Sequence, residues 1–197
     1  MQTDLSIIIP TYRRPELLRE AIASCLEIRK LSFEVLVVDD CPDGSARQVV
    51  ASFGDQRVHY RKRDIPTGGR PAFNRNEAAA EASGRIFYFL DDDDRMIAAH
   101  IEAAWARLDQ SHRGVVISLA QPFSTNPELE LHETQLFKAA GSFLSKSPFT
   151  LTVVGRLVFG STVLVCSSCM VKREAFGACK GFDTNIELCE DLGPVKK

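Results

Sequence analysis

The sequence predicts an α/β domain with a doubly wound, mostly parallel sheet flanked by helices. Two observations carry this. Short, continuously apolar, β-rich runs such as "LSIIIP" at residues 5–10 and "FEVLVV" at 33–38 have the composition of strands buried on both faces. Between them lie segments with helical spacing, and strand–helix alternation of this kind winds into a parallel sheet.

The elements follow in order. After "LSIIIP", the stretch "RPELLREAIASCLEI" places Leu17, Leu18, Ala21, Ile22 and Cys25 at helical spacing, with Pro15 near the helix start. "FEVLVVDD" is the second strand and "CPDGS" a turn by composition. "ARQVVASFG" reads as a helix closed by Gly54, and "RVHYRKR" as a third, more exposed strand. "GGRPAFNRNEAAAEASG" is a loop passing into an alanine-rich helix with Gly84 at its C-terminal end. "RIFYFL" is the fourth strand, "AAHIEAAWARLDQS" a helix and "GVVISLA" the fifth strand. Further on, "QPFSTNPELELHET" is polar and loop-like, and "TQLFKAAGSFLSK" has the pattern of an amphipathic helix. "STVLVCSSCMVKREAF" reads as a strand pair or a strand–helix junction.

Composition narrows the function. The chain has 197 residues, is 45% hydrophobic and 25% charged, and carries a net charge of −2. That is one domain's worth of ordinary globular sequence, without the basic excess that nucleic-acid binding calls for. No apolar stretch approaches the roughly 20 residues of a membrane helix, and the N-terminus lacks a signal-peptide pattern. Among six cysteines, Cys166 and Cys169 have the C-x2-C spacing of half a zinc site. No second close pair follows, which favours packed thiols.

The acidic residues define the chemistry. "VVDD" ends the second strand, "LDDDD" the fourth, and "PTY" the first. In an open α/β sheet, ligands bind beyond the carboxyl ends of the strands. One acidic strand end is explained by a solvated turn, whereas two at equivalent ends indicate a site. A hard divalent cation takes oxygen ligands, and Mg²⁺ binds through one or two carboxylates plus substrate phosphates.

The blocks "SIIIPTYRRPELLREAIASCL", "FEVLVVDDCPDGS", "PAFNRNEAAAEASGRIFYFLDDDD", "GFD" and "ED" together resemble glycosyltransferase family 2. The likeness runs from residue 5 to 191 and is weak over 121–160. It implies a single GT-A domain, Rossmann-like, with a donor-binding half at 1–120 and an acceptor-side half at 121–197. The chain closes directly after "EDLGPVKK", so C-terminal elements of the family pattern are expected to be missing. The resemblance implies an inverting, metal-dependent glycosyltransferase using Mn²⁺ or Mg²⁺. The donor would be a UDP- or dTDP-sugar, and the acceptor a saccharide or a lipid-linked saccharide, as in polysaccharide biosynthesis. The implied location is cytoplasmic, with peripheral association at the inner membrane face. By the same resemblance, Pro10, Thr11 and Tyr12 form a nucleotide-binding loop, with Tyr12 near the base. Asp40 accepts the imide N–H of uracil or thymine, and Arg70 or Arg75 faces the diphosphate. Asp91, Asp92 and Asp93 form the acidic DxD element, with Asp91 and Asp93 on the metal and Asp92 on the nucleotide-sugar. Asp191 is the catalytic base.

Each residue also has a plainer reading. Asp94 suits the N-cap of the helix that follows. Asp39 can brace the loop after the second strand, and Asp43 belongs to a turn. Arg70 and Arg75 can lie on the surface. Gly68 and Gly69 lack the Walker pattern and read as a mobile loop. The four histidines show no paired spacing and Trp105 reads as core. The competing functional class is a nucleotide-sugar-binding module without turnover. A nucleotidyltransferase, by contrast, calls for a Gly-rich signature after the first strand, and "PTYRRPE" is not one.

Overall fold

The computed structural model describes residues 3–118, 120–124, 126–146 and 165–185. Among the described residues six strands form one sheet in the order β3-β2-β1-β4-β6-β5: β1 (Leu5–Thr11), β2 (Phe33–Asp39), β3 (Val58–Lys62), β4 (Ile86–Phe89), β5 (Val115–Ile117) and β6 (Cys169–Lys172). β1, β2, β3 and β4 pair in parallel, and β6 is inserted antiparallel between β4 and β5. The sheet is therefore shared by both expected halves, since β6 comes from beyond residue 121.

Alternation along β1 explains the two-sided core. Leu5, Ile7 and Ile9 face helices α1 (Pro15–Cys25), α2 (Arg47–Phe53) and α4 (Ala98–Asp109). Ile8 faces the other side, where Ala78, Ala79 and Ala82 at the end of α3 (Pro71–Glu81) meet Phe87 and Phe89. There Phe176 of α6 (Arg173–Ala178) and Phe182 complete an aromatic group, with ring centroids 4.9–6.3 Å apart. Trp105 packs part-buried against the first cluster, its indole N–H on the Asp4 carbonyl. Among the described residues no helix is long and apolar enough to cross a membrane.

Three local expectations are corrected. The helix placed at 134–146 begins earlier: α5 spans Pro127–Lys146. Asn126 Oδ1 accepts from the Glu128 and Leu129 amides, Pro127 stands in the first turn, and Glu128 and Glu130 favour the helix N-terminus. Asp94 is not the N-cap of α4, because Ile97 holds that position in extended conformation. Met96 is drawn into the core and its amide bonds Ser24 Oγ, which keeps the chain extended until Ala98. Gly84 does not end a helix in the left-handed conformation: α3 stops at Glu81 with an extended cap at Ala82. The "STVLVCSSCMVKREAF" stretch resolves, over its described part, as a 3-10 turn (Cys166–Ser168), strand β6 and helix α6, a strand–helix junction.

Gly84 serves close packing. A Cβ there would stand 2.5 Å from the Ser6 amide nitrogen and 2.8 Å from the Leu5 carbonyl carbon. Its own amide donates to Ser6 Oγ, which in turn donates to Glu34 Oε1. Backbone cannot yield as a flexible side chain does, so Gly84→Ala should destabilise the fold by about 1–3 kcal/mol. Denaturant unfolding checks this, through a lower midpoint at an unchanged slope.

Candidate active site

The parallel register assembles the site. Thr11 lies opposite Asp39 on β2, and Ile8 lies opposite Phe89 on β4, so carrying that register three residues on brings Asp92 beside Thr11. The side chains meet there, Thr11 Oγ1 donating to Asp92 Oδ2 at 2.7 Å. A cavity of about 820 Å³ opens at this rim, and it is lined by Pro10, Thr11 and Tyr12, by Gly68 to Ala72, by Arg75, and by Asp91 to Asp94. The antiparallel side closes it with Ser118, Ser167 and Ser168.

The three carboxylates have different surroundings. Asp91 pairs with Arg75, a fully buried arginine on α3, and its amide donates to Ser167 Oγ at 3.0 Å. Asp92 is buried against Thr11 and also receives Arg14 Nη1 at 3.2 Å. Burial pushes the Asp92 carboxyl up from its ordinary value, with Asp93 adding to the rise and Thr11 and Arg14 opposing it. Asp93 stands half in solvent, with Arg14 Nη1 at 2.7 Å from its Oδ2. Arg14 thus bridges two adjacent acids, and their charges outweigh its desolvation and raise its pKa. Arg70 reaches the rim too, its Nη2 donating to the Thr184 carbonyl at 2.9 Å and its guanidinium stacked on Phe73.

The acids after β2 do other work. Asp39 and Asp40 are fully buried and do not line the cavity. Asp39 accepts from the Cys41 and Ala46 amides at 2.9 Å and from the Tyr60 hydroxyl at 3.1 Å, so it braces the turn into α2. Asp40 accepts from the Thr67 amide at 2.8 Å, the Thr67 hydroxyl at 3.0 Å and the Gly69 amide. Arg63 Nε lies 3.7 Å from the same carboxylate. Asp40 therefore ties down the loop whose glycines adopt positive φ, 77° at Gly68 and 93° at Gly69. That loop lies on Tyr12: a Cβ at Gly69 would be 3.3 Å from the Tyr12 ring.

Pro10, Thr11, Tyr12, Arg70, Arg75, Asp91, Asp92 and Asp93 all converge on one cavity. Asp40 stands behind its wall, and Asp191 lies outside the described residues. Sequence reading missed Arg14, Ser167 and His100, which line the cavity as well. Arg14 had a signal, being a cation in "PTYRRPE" at the end of an assigned strand. Ser167 had none, because it arrives through the antiparallel β6 side. The donor set of clustered carboxylate oxygens suits a hard divalent cation that takes one or two carboxylates and fills its shell from elsewhere. Among the described residues no group of three His, Cys, Asp or Glu side chains is arranged to hold a metal ion, and Asp91, Asp92 and Asp93 each have an arginine at ion-pair distance.

The chain is similar to known proteins along much of its length. It is 30% identical over 115 residues to the poly(ribitol-phosphate) β-N-acetylglucosaminyltransferase TarS of Staphylococcus aureus, covering 57% of this chain and 20% of that protein. It is 36% identical over 98 residues to the Escherichia coli UDP-Glc:α-D-GlcNAc-diphosphoundecaprenol β-1,3-glucosyltransferase WfgD, covering 50% of this chain and 38% of that protein. The chain thus spans well under half the length of these two relatives. Solved structures share the fold. Residues 1–349 of S. aureus TarS in complex with UDP-GlcNAc match with a TM-score of 0.68 at 21% identity, over 95% of this chain and 51% of that one. The Pyrobaculum calidifontis mannosyltransferase in complex with GDP-Man and Mn²⁺ matches with a TM-score of 0.66 at 18% identity, over 96% and 50%. The α/β sheet with flanking helices is thus of the GT-A type. The family model described as glycosyl transferase family 2 matches residues 6–179, and the chain belongs to that family.

Proposed function

We propose that this chain carries the catalytic domain of an inverting glycosyltransferase that moves a sugar from a UDP- or dTDP-sugar to a hydroxyl of a saccharide or lipid-linked acceptor. The observation that carries this reading is the cavity at the carboxyl ends of β1 and β4, where Asp91 to Asp94, four arginines (Arg14, Arg70, Arg75 and Arg95) and Tyr12 line one space. Its volume of about 820 Å³ suits a nucleotide-sugar. UDP-GlcNAc in the TarS structure and a diphosphoundecaprenol acceptor in the WfgD name support the donor and acceptor classes. An acceptor of that kind supports action close to a membrane, and we propose its cytoplasmic face.

The residues divide the labour by chemistry. Transfer requires charge stabilisation on the leaving diphosphate and removal of the acceptor proton. Asp91 and Asp93 would hold a divalent cation; the Mn²⁺ in the Pyrobaculum complex supports the class of ion. When bound, the ion neutralises diphosphate charge. Arg70 and Arg75 present guanidinium groups to the same diphosphate, and Pro10, Thr11 and Tyr12 form the wall against the nucleotide. An inverting displacement needs one base and no nucleophile, and Asp191 is proposed as that base. Asp40 is proposed to read the base. Its oxygens accept from Thr67 and Gly69 in this structure, so an imide N–H reaches Asp40 by taking the place of the Gly69 amide.

Calorimetric titration of UDP tests the metal assignment. Binding should be tighter with Mn²⁺ than with a chelator, and Asp93→Asn should remove most of the difference. Equal affinity in both conditions would overturn it.

Base selectivity tests Asp40. Cytosine presents an acceptor where uracil has its imide donor, and a lost buried hydrogen bond costs about 1–3 kcal/mol. UDP should bind correspondingly tighter than CDP, whereas equal binding would confine Asp40 to holding the 67–69 loop.

Steady-state kinetics test the base. Asp191→Asn should lower turnover by about 100- to 10,000-fold while leaving UDP affinity near that of the parent. Unchanged turnover would assign the proton to another residue.

A further inference from the structure

The two arginines of "PTYRRPE" part company. Arg13 takes the left-handed conformation, φ 57°, and its guanidinium lies 5.2 Å from the centroid of the Tyr12 ring. Arg14 turns the opposite way, to Asp92 and Asp93. Arg14 and Arg75 neutralise the acidic rim by different means. Arg75 is fully buried on α3 beside Asp91 and cannot leave without dismantling packing. The Arg14 side chain is 52% exposed and projects from the N-cap of α1, so it can rotate away at little cost. It nevertheless stands where a divalent cation would have to share Asp93, which is itself 48% exposed.

We propose that Arg14 is a built-in counter-cation: it occupies Asp92 and Asp93 in the donor-free protein, holds divalent-cation affinity low there, and moves to the donor's diphosphate when the donor arrives. The inference rests on the donor-site reading above and assigns a role to a residue outside the acidic element. Its basis is competition. A guanidinium and a divalent cation on the same Asp93 carboxylate repel each other, so Arg14 in place weakens binding of the ion there, and its exposed side chain can turn away. Once released, the guanidinium remains at the cavity wall, and a diphosphate offers it anionic oxygens in place of the two carboxylates that Nη1 bridged. Cation and diphosphate then enter as a pair, and the exposed rim does not gather divalent ions alone.

The test measures Mn²⁺ binding to the nucleotide-free protein, by the paramagnetic resonance signal of the free ion, and UDP binding at saturating Mn²⁺ by calorimetry. Arg14→Gln should raise Mn²⁺ affinity about 3- to 10-fold without nucleotide, as expected for removing one half-exposed competing ion pair. The same variant should weaken UDP binding at saturating Mn²⁺ by about 5- to 30-fold, the worth of a charge-assisted contact to phosphate. Arg13→Gln removes the same charge one residue away and should change Mn²⁺ affinity less than twofold. Arg14→Lys, which puts a strongly hydrated point charge in place of the planar guanidinium, should fall between parent and Gln in both measurements. A Mn²⁺ affinity unchanged or lowered in Arg14→Gln, or raised equally in Arg13→Gln, would overturn the proposal. Absence of Mn²⁺ binding in every form, with and without UDP, would overturn the metal assignment and this inference with it.

Discussion

Thr11 is the point on which the rest of the site depends. It ends β1, the strand between β2 and β4, and so stands between the two acidic strand ends. Its carbonyl accepts the Asp40 amide at 3.0 Å, which extends the β1–β2 ladder one residue past Asp39. Its hydroxyl donates to Asp92 and holds the segment after β4 on the opposite side. One nearly buried residue with three hydrogen-bonding groups therefore fixes the relative positions of both clusters. A β-branched threonine also suits the strand that must deliver it.

Charge is handled by burial on one side of Thr11 and by arginine on the other. Isolated buried carboxylates are costly, and both residues of the β2 end are fully buried. They are tolerated because each accepts several hydrogen bonds, Asp39 from the turn into α2 and Asp40 from the 67–69 loop. Arg63 extends this network. It lies against Asp40, donates to Asn74 Oδ1 at 3.1 Å and pairs with Glu77 at 3.0 Å, which ties the loop to α3. The β4 end meets the cavity instead, and there Asp91 pairs with the buried Arg75 while Asp92 and Asp93 share the half-exposed Arg14. The same residue type thus gives a rigid loop anchor at one strand end and an exchangeable electrostatic surface at the other.

Much of this was legible in the chain. The five first strands, the helices between them and the convergence of three strand ends follow from apolar runs and helical spacing, because a strand buried on both faces leaves a continuous apolar run and a helix buried on one face leaves a 3.6-residue period. Two of the errors fall where a distant partner overrides a local signal, and the third was a local signal passed over. Asp94 has the chemistry of an N-cap, but Ser24 on another helix captures Met96 and delays α4. Gly84 has the look of a helix terminator, but the approach of β1 backbone is what requires it. "TNPELE" held a legible cap, Asn126 before Pro127, inside a stretch whose polarity suggested loop.

The sequence by itself determined the sheet, the strand ends and the residue types delivered to them, because period and composition are local properties of the chain. Only the tertiary structure decided which acids face the cavity. "VVDD" and "LDDDD" are nearly alike as text, and the difference between them lies in their neighbours. The 67–69 loop closes over Asp40, whereas Arg14, arriving from the start of α1, leaves Asp93 half open to solvent. Such pairings join residues 27 to 79 positions apart, and no local pattern encodes a partner at that separation.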